Sequence, residues 1–286
     1  MQHLFDTELV TRRKVRALAK RVEGAEFLMD RAAEDLADRL ATVERRFERA
    51  AAIGCLTGAA ANVLERSGKV GEVIRVEANQ RLLASTGLVM QGERLPLEPE
   101  SIDLAVSLLT FHEINDLPGM LIQIRRALRP DGLFLAALAS NGTLAELRES
   151  LLVAETELTG GATPRIAPFV DVRDAGGLLQ RAGLALPVAD IETTTVRYAT
   201  MFDLMADLRA MGATNSLAER SRRPTTRRLF VRSAQIYAER FADTDGRIRA
   251  TFSTVWLSGW APHASQPKAL KPGSAQISLT KVLENK

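Results

Sequence analysis

Apolar residues recur at Leu28, Ala32, Leu36 and Leu40, one every four positions, while Asp30, Glu34 and Arg39 fall off that line. This is the spacing of one buried helix face. The first fifty residues therefore read as helix lying on a core, and residues 1–47 as an N-terminal helical segment.

From about residue 50 short apolar runs alternate with helical stretches. Residues 49–53 read as a strand, 54–58 as a turn, and the helix after it runs through Leu64. Residues 70–76 form a β-rich run closing at Glu77, and Asn79 offers a cap for a short helix through Ala84. Residues 88–90 are a brief strand. The nearly continuous apolar run 102–109 predicts a strand buried on both faces. Asn115 and Asp116 supply N-cap chemistry for a helix over 117–128. Arg129-Pro130-Asp131-Gly132 breaks it, and 133–138 is again fully apolar. Strand, helix, strand, helix with buried strands predicts a doubly wound α/β fold, a mostly parallel sheet with helices on both faces. Such folds bind ligands outside the carboxyl ends of the strands, where strand order reverses.

The second half is more helical. Residues 143–158 form a helix ended by Gly160-Gly161, and 171–182 a second with Gly183 just past it. Residues 191–198, rich in Thr and Val, are strand-like. Residues 201–211 and 225–241 are helical, within an insertion over about 200–242, and 250–260 returns to strand. Trp256 and Trp260 lie four apart on it, hence on one face, and read as core. The main domain spans 48–262, and 263–286 reads as a loose tail.

Composition excludes several classes. The 286-residue chain is 46% hydrophobic and 26% charged, near the soluble globular average. No run reaches the roughly 20 apolar residues of a membrane helix. Cys55 is the only cysteine, so no internal disulfide forms. His3, His112 and His263 are far apart, and no metal site is expected. A net charge of +3 is too small for a dedicated nucleic-acid binder. The opening segment lacks a signal peptide's apolar core, and a cytoplasmic setting is expected. Arg220, Arg222, Arg223, Arg227, Arg228 and Arg232 form a basic run: a solvated helix face, or a docking face for an acidic protein or a membrane surface.

The most telling segment is residues 101–132, SIDLAVSLLTFHEINDLPGMLIQIRRALRPDG, preceded by Gly92-Glu93-Arg94-Leu95-Pro96-Leu97. It resembles the fourth-strand region of class I S-adenosylmethionine-dependent methyltransferases, over about residues 48–140. The ending WLSGWAPHASQPKALKPGSA, the segment GGATPRIAPFVDVRDAGGLLQRAGLALPVAD and the opening LFDTELVTRRKVRA narrow the likeness. They resemble the branch holding the malonyl-acyl-carrier-protein O-methyltransferases of biotin synthesis and the mitochondrial complex I assembly factors that hydroxylate an arginine.

The resemblance implies a Rossmann-like, seven-stranded sheet and S-adenosylmethionine as cofactor. It places Gly54, Cys55, Thr57 and Gly58 in the loop at the methionyl end. Glu77 would accept the ribose hydroxyls. Gln91, with Gly92 and Glu93 beside it, would read adenine. Leu109 would line the cofactor, and His112 would face the substrate as a catalytic candidate. Residue by residue there are plainer readings: a strand-to-helix turn for Gly54 and Gly58, a solvated strand end for Glu77, a structural loop side chain for His112, a small buried filler for Cys55.

The sequence departs from the family pattern at four places. Ala52 stands for the acid that helps hold the methionyl ammonium, which should weaken binding. Leu56 replaces the loop's central glycine, and its side chain is expected to crowd the cofactor. Gln91 replaces an aspartate, and Glu113 an aromatic residue. Three functions follow: methyl transfer to a small-molecule, carrier-borne or protein-borne acceptor; a complex I assembly or hydroxylase-like role; or a non-catalytic module that keeps only the fold.

Overall fold

The computed structural model describes residues 3–83 and 86–267. Two helices, α1 (Thr7–Lys20) and α2 (Phe27–Ala41), stand where the pattern suggested one helical stretch. The break follows Arg21, which takes the left-handed conformation at φ 48°, and runs through Gly24. Asp6 caps α1 by accepting the Leu9 N–H. Leu36 and Leu40 are buried as the four-residue spacing required.

Seven strands follow: β1 (Phe47–Ile53), β2 (Val70–Glu77), β3 (Leu88–Val89), β4 (Ile102–Leu108), β5 (Leu128–Ala139), β6 (Ala185–Tyr198) and β7 (Ile248–Trp260). They form one sheet in the order β3-β2-β1-β4-β5-β7-β6. All pairings through β5 are parallel; β7 runs antiparallel to both β5 and β6. The order reverses between β1 and β4, the switch point at which open α/β sheets bind ligands. The doubly wound, mostly parallel fold expected from the sequence is what the chain adopts.

Helix α3 (Ala59–Arg66) joins α2 on one face of the sheet; α4 (Leu117–Ala127) and α6 (Val172–Arg181) cover the other. Asp116 caps α4 by accepting the Gly119 N–H, as the sequence proposed, and Pro118 sits in its first turn. The short helix expected after Asn79 is a single 3-10 turn, Gln80–Leu82, capped by the Asn79 side chain; its expected end at Ala84 lies outside the described residues. Helices α5 (Ala145–Thr159), α7 (Met201–Ala210) and α8 (Arg227–Phe241) build a third apolar cluster around Leu204 and Tyr237.

The sequence missed two features of the frame: β6 begins at Ala185 rather than at 191, and the turn after α4 is built differently. Residues 129–132 do not simply separate α4 from a strand starting at 133. Strand β5 begins at Leu128 and carries an irregularity against β4 at this point. Asp131 takes φ 65°, and a Cβ on Gly132 would fall 2.9 Å from the Arg129 carbonyl oxygen and 3.0 Å from that of Asp103. The glycine is required by close backbone approach. Trp256 is buried in the α2 face with the Arg39 guanidinium 4.5 Å from its ring centre, so it is core as expected. Of the expected tail, residues 268–286 lie outside the described residues.

Candidate active site

Loops at the carboxyl ends of β1, β2, β4 and β5 meet under α1. Gly54 opens the β1 loop at φ 60°, and a Cβ there would stand 3.1 Å from the Thr110 methyl carbon. The Thr110 hydroxyl donates to the Gly54 carbonyl, tying the β4 loop to the β1 loop across the switch point. Leu56 follows at φ 53° and Leu109 at φ 51°. Two non-glycine residues thus hold left-handed backbone at the ends of β1 and β4, each at a cost of about 1–2 kcal/mol. Both side chains border the same cavity.

Glu77 closes β2 and is fully buried, at 0% exposure. Its Oε1 lies 3.4 Å from Arg75 Nη2, and its Oε2 is buried without a hydrogen-bond partner. Burial pushes its pKa up to about 7, against the pull of Arg75 and of the Leu56 and Cys55 amides. Arg75 was not foreseen. It sits two residues before Glu77 and so shares its face of the strand. Its guanidinium donates to the carbonyls of Leu56 (3.0 Å), Thr57 (3.3 Å) and Leu82 (3.1 Å), holding the β1 loop down. The signal was available: a charge inside an otherwise half-buried strand requires a partner.

Two cavities flank this seam. One, of about 520 Å³, is bordered by Leu56, Thr57, Leu109 and His112 and extends between α1, α2, α5 and α7. The other, of about 750 Å³, is bordered by Ala78, Asn79, Met90, Gly92 and Glu93 under the opposite side of α1. Glu113 borders both. It pairs with Lys14 of α1 at 3.0 Å, and the Ser216 hydroxyl donates to its Oε1. Burial opposes the charge on Glu113, but the Lys14 cation and the hydrogen bonds from Lys14 and Ser216 outweigh it and hold the pKa below the ordinary glutamate value. Helix α1 is clamped further by Arg13, which donates to the carbonyls of Thr214 and Asn215, and by the Asp6–Arg220 pair at 3.0 Å.

The structure therefore brings Thr57, Leu109 and His112 together on one cavity and Gly92 and Glu93 on the other. Gly54, Cys55, Gly58, Glu77 and Gln91 border neither. The Cys55 side chain points into the α2 face, its thiol raised in pKa by burial; this is the plain filler reading. Gln91 is exposed and makes an isolated β-bridge with Arg94. The Glu93 carboxylate is engaged by the loop ahead of α4: it accepts the amides of Asn115 (2.7 Å) and Asp116 (2.8 Å). His112 is not arranged as a base. Its Nδ1 accepts the Ala139 N–H at 3.3 Å, and burial drives its pKa down to about 4, so the ring is neutral with its proton on Nε2. Ala52 packs among Ala60, Leu64 and Val106, so no acid faces the loop from β1.

Residues 51–136 match the family described as "Methyltransferase domain". The mouse protein named arginine-hydroxylase NDUFAF5, mitochondrial, is 36% identical over 97% of this chain and 83% of its own length. The malonyl-[acyl-carrier protein] O-methyltransferase of Methylovorus sp. is 30% identical over 93% of this chain and 95% of its own. The chain belongs to the class I methyltransferase superfamily, in the branch of these two relatives. The solved YcgJ protein of Bacillus subtilis matches over 80% of this chain and 99% of its own, with a TM-score of 0.53 at 17% identity, which speaks for the fold alone. In this chain the segment matched to the family carries β1, β2, β4 and their loops, the elements that build the seam. Helix α1 and the α5–α7–α8 cluster, which roof it, lie outside the match.

Proposed function

We propose that the chain binds S-adenosylmethionine across the β1–β4 switch point and transfers its methyl group to an acceptor held in the 520 Å³ cavity. The observation that carries this reading is Glu77 Oε2, a fully buried acceptor with no partner. A buried carboxylate oxygen left unpaired is costly unless a ligand donor meets it. Two ribose hydroxyls are the donors that an acid at the end of the second strand meets in a dinucleotide-type fold. Glu77 would hold the ribose, with Gly54 and Gly58 shaping the loop beside it. Asn79, Met90 and Gly92 would border the adenine. Thr57 and Leu109 would border the methionyl end. His112, neutral, offers an Nε2–H to an acceptor atom rather than taking a proton.

The cofactor, when bound, supplies a methyl group on a sulfonium, which is already activated. The protein then contributes alignment and exclusion of water. Glu77 is fully buried and borders neither cavity, so the β1 loop, which Arg75 holds through the Leu56 and Thr57 carbonyls, would have to yield to admit the ribose.

Thermal unfolding with and without S-adenosylmethionine tests the reading. Ligand at about a hundred times its dissociation constant stabilises by roughly 2.7 kcal/mol. No shift at millimolar ligand would leave a fold-only module. A second reading, protein hydroxylation in complex I assembly, is supported by the likeness to the arginine-hydroxylase relative. Product mass separates the two, since a substrate gains either a methyl group or an oxygen. An acidic protein partner at Arg222, Arg223, Arg227 and Arg228 is part of the proposal. These four are exposed, whereas Arg220 and Arg232 are engaged by Asp6 and Glu157. So is a cytoplasmic setting, which cell fractionation tests. Among the described residues no helix is long and apolar enough to cross a membrane.

A further inference from the structure

The 520 Å³ cavity is within the usual range for a small-molecule site, and most of the charged residues in its interior wall are already engaged by other protein groups. Arg13 donates to the carbonyls of Thr214 and Asn215. Lys14 and Glu113 neutralise each other at 3.0 Å. Arg31 is shared between Glu192 at 2.7 Å and Asp35 at 3.8 Å. Arg165 holds Glu155 through two nitrogens, at 2.7 and 3.1 Å, and donates to Thr225 at 3.0 Å. The other three charged residues of the wall, Arg21, Glu26 and Arg209, are exposed and belong to the rim. Most of the surface the interior offers a ligand is apolar, from residues such as Leu147, Leu151, Met205, Leu208 and Phe252. A charged group placed against that apolar surface would lose its water, a penalty that buried charges escape only by pairing.

We propose that this cavity takes an acceptor by an apolar chain, alkyl, acyl or isoprenoid, with the reacting end beside Leu109 and His112. The inference rests on the methyltransferase reading only in treating the cavity as the acceptor's side. It names an acceptor class different from the arginine in the name of the hydroxylase relative. Chain length should then set affinity. Each added methylene that enters the cavity tightens binding roughly fourfold, until the space is filled.

The test uses the full chain and unbranched n-alkanols, from butanol to decanol, displacing an aminonaphthalene sulfonate probe. The expected result is a stepwise rise in affinity with length and then a plateau. Met205→Trp should bring the plateau to a shorter chain, because Met205 borders the cavity. Leu18→Phe on α1 serves the same end if the first variant does not fold. Affinity independent of length overturns the proposal. So does a length series that both variants leave unchanged, or stronger displacement by an arginine-containing peptide than by any alkanol. S-adenosylmethionine is titrated on the same samples. Its failure to bind alongside an intact length series counts against the methyltransferase site and not against the apolar cavity; the converse result counts against the cavity alone.

Discussion

Lys14 Nζ lies 3.0 Å from Glu113 Oε2, and this buried pair joins the roof helix α1 to the loop after β4, between the two cavities. Both side chains are at most a tenth exposed. Lys14→Met or Glu113→Gln leaves one buried charge without its partner and should cost about 3–5 kcal/mol in denaturant unfolding. The double variant should recover much of that loss. If the single variants are near neutral, the pair does not hold α1.

The same pair predicts an acid limb. The Glu113 pKa is depressed in the folded chain, so its contribution is fully present above the ordinary glutamate value of 4.5 and is lost as pH falls through the lower folded value. Wild-type stability should therefore fall more steeply in acid than that of the double variant, measured as denaturant midpoints against pH.

Glu77 predicts the opposite slope for the unliganded chain. Its folded pKa, about 7, lies above the usual 4.5, so folding favours the protonated acid. That contribution is complete below pH 4.5 and lost as pH rises through 7. Cofactor affinity should run the other way, because ribose hydroxyls need the ionised acceptor. Calorimetric titration with S-adenosylmethionine on either side of pH 7 should show tighter binding on the alkaline side. Glu77→Gln should abolish the step and weaken binding by roughly 1.5–3 kcal/mol. A flat pH profile in the wild type would mean that Glu77 does not hold the ribose.

Arg75→Met removes the donor shared by three loop carbonyls and the cation beside Glu77. A loss of about 1–3 kcal/mol in stability is expected for the buried acceptors left behind. The binding step near pH 7 should also move to higher pH, because Arg75 holds the Glu77 pKa down. An unmoved step would assign Arg75 a purely structural role.

Leu56→Gly exchanges a left-handed leucine for a residue that adopts φ 53° freely. The relief of about 1–2 kcal/mol is offset by the greater freedom of an unfolded glycine, so stability should change by no more than about 1 kcal/mol. Affinity for S-adenosylmethionine should rise, because the side chain that borders the cavity is gone. Unchanged affinity would mean that Leu56 does not obstruct the site.

Much of the frame was readable in the residues. The four-residue apolar spacing of α2, the Asp116-Leu117-Pro118 start of α4, the Gly160 stop of α5 and the continuous apolar run of β4 are local signals, and each sits where local chemistry requires. The alternation of buried strands and helices determined the doubly wound sheet, because such strands need helices on both faces. What only the tertiary structure decided is how the loops share space. The resemblance assigned Cys55, Glu77, Gln91 and Glu93 to a cofactor site and His112 to the substrate side. Whether a side chain faces a cavity, a core or a loop amide depends on neighbours far along the chain: Arg75 under the Leu56 carbonyl, the Asn115 amide on Glu93, the Ala139 amide on His112, and Lys14, ninety-nine positions from Glu113, at its carboxylate. Those contacts form only when the sheet brings the strand ends together, and no periodicity along the chain encodes them.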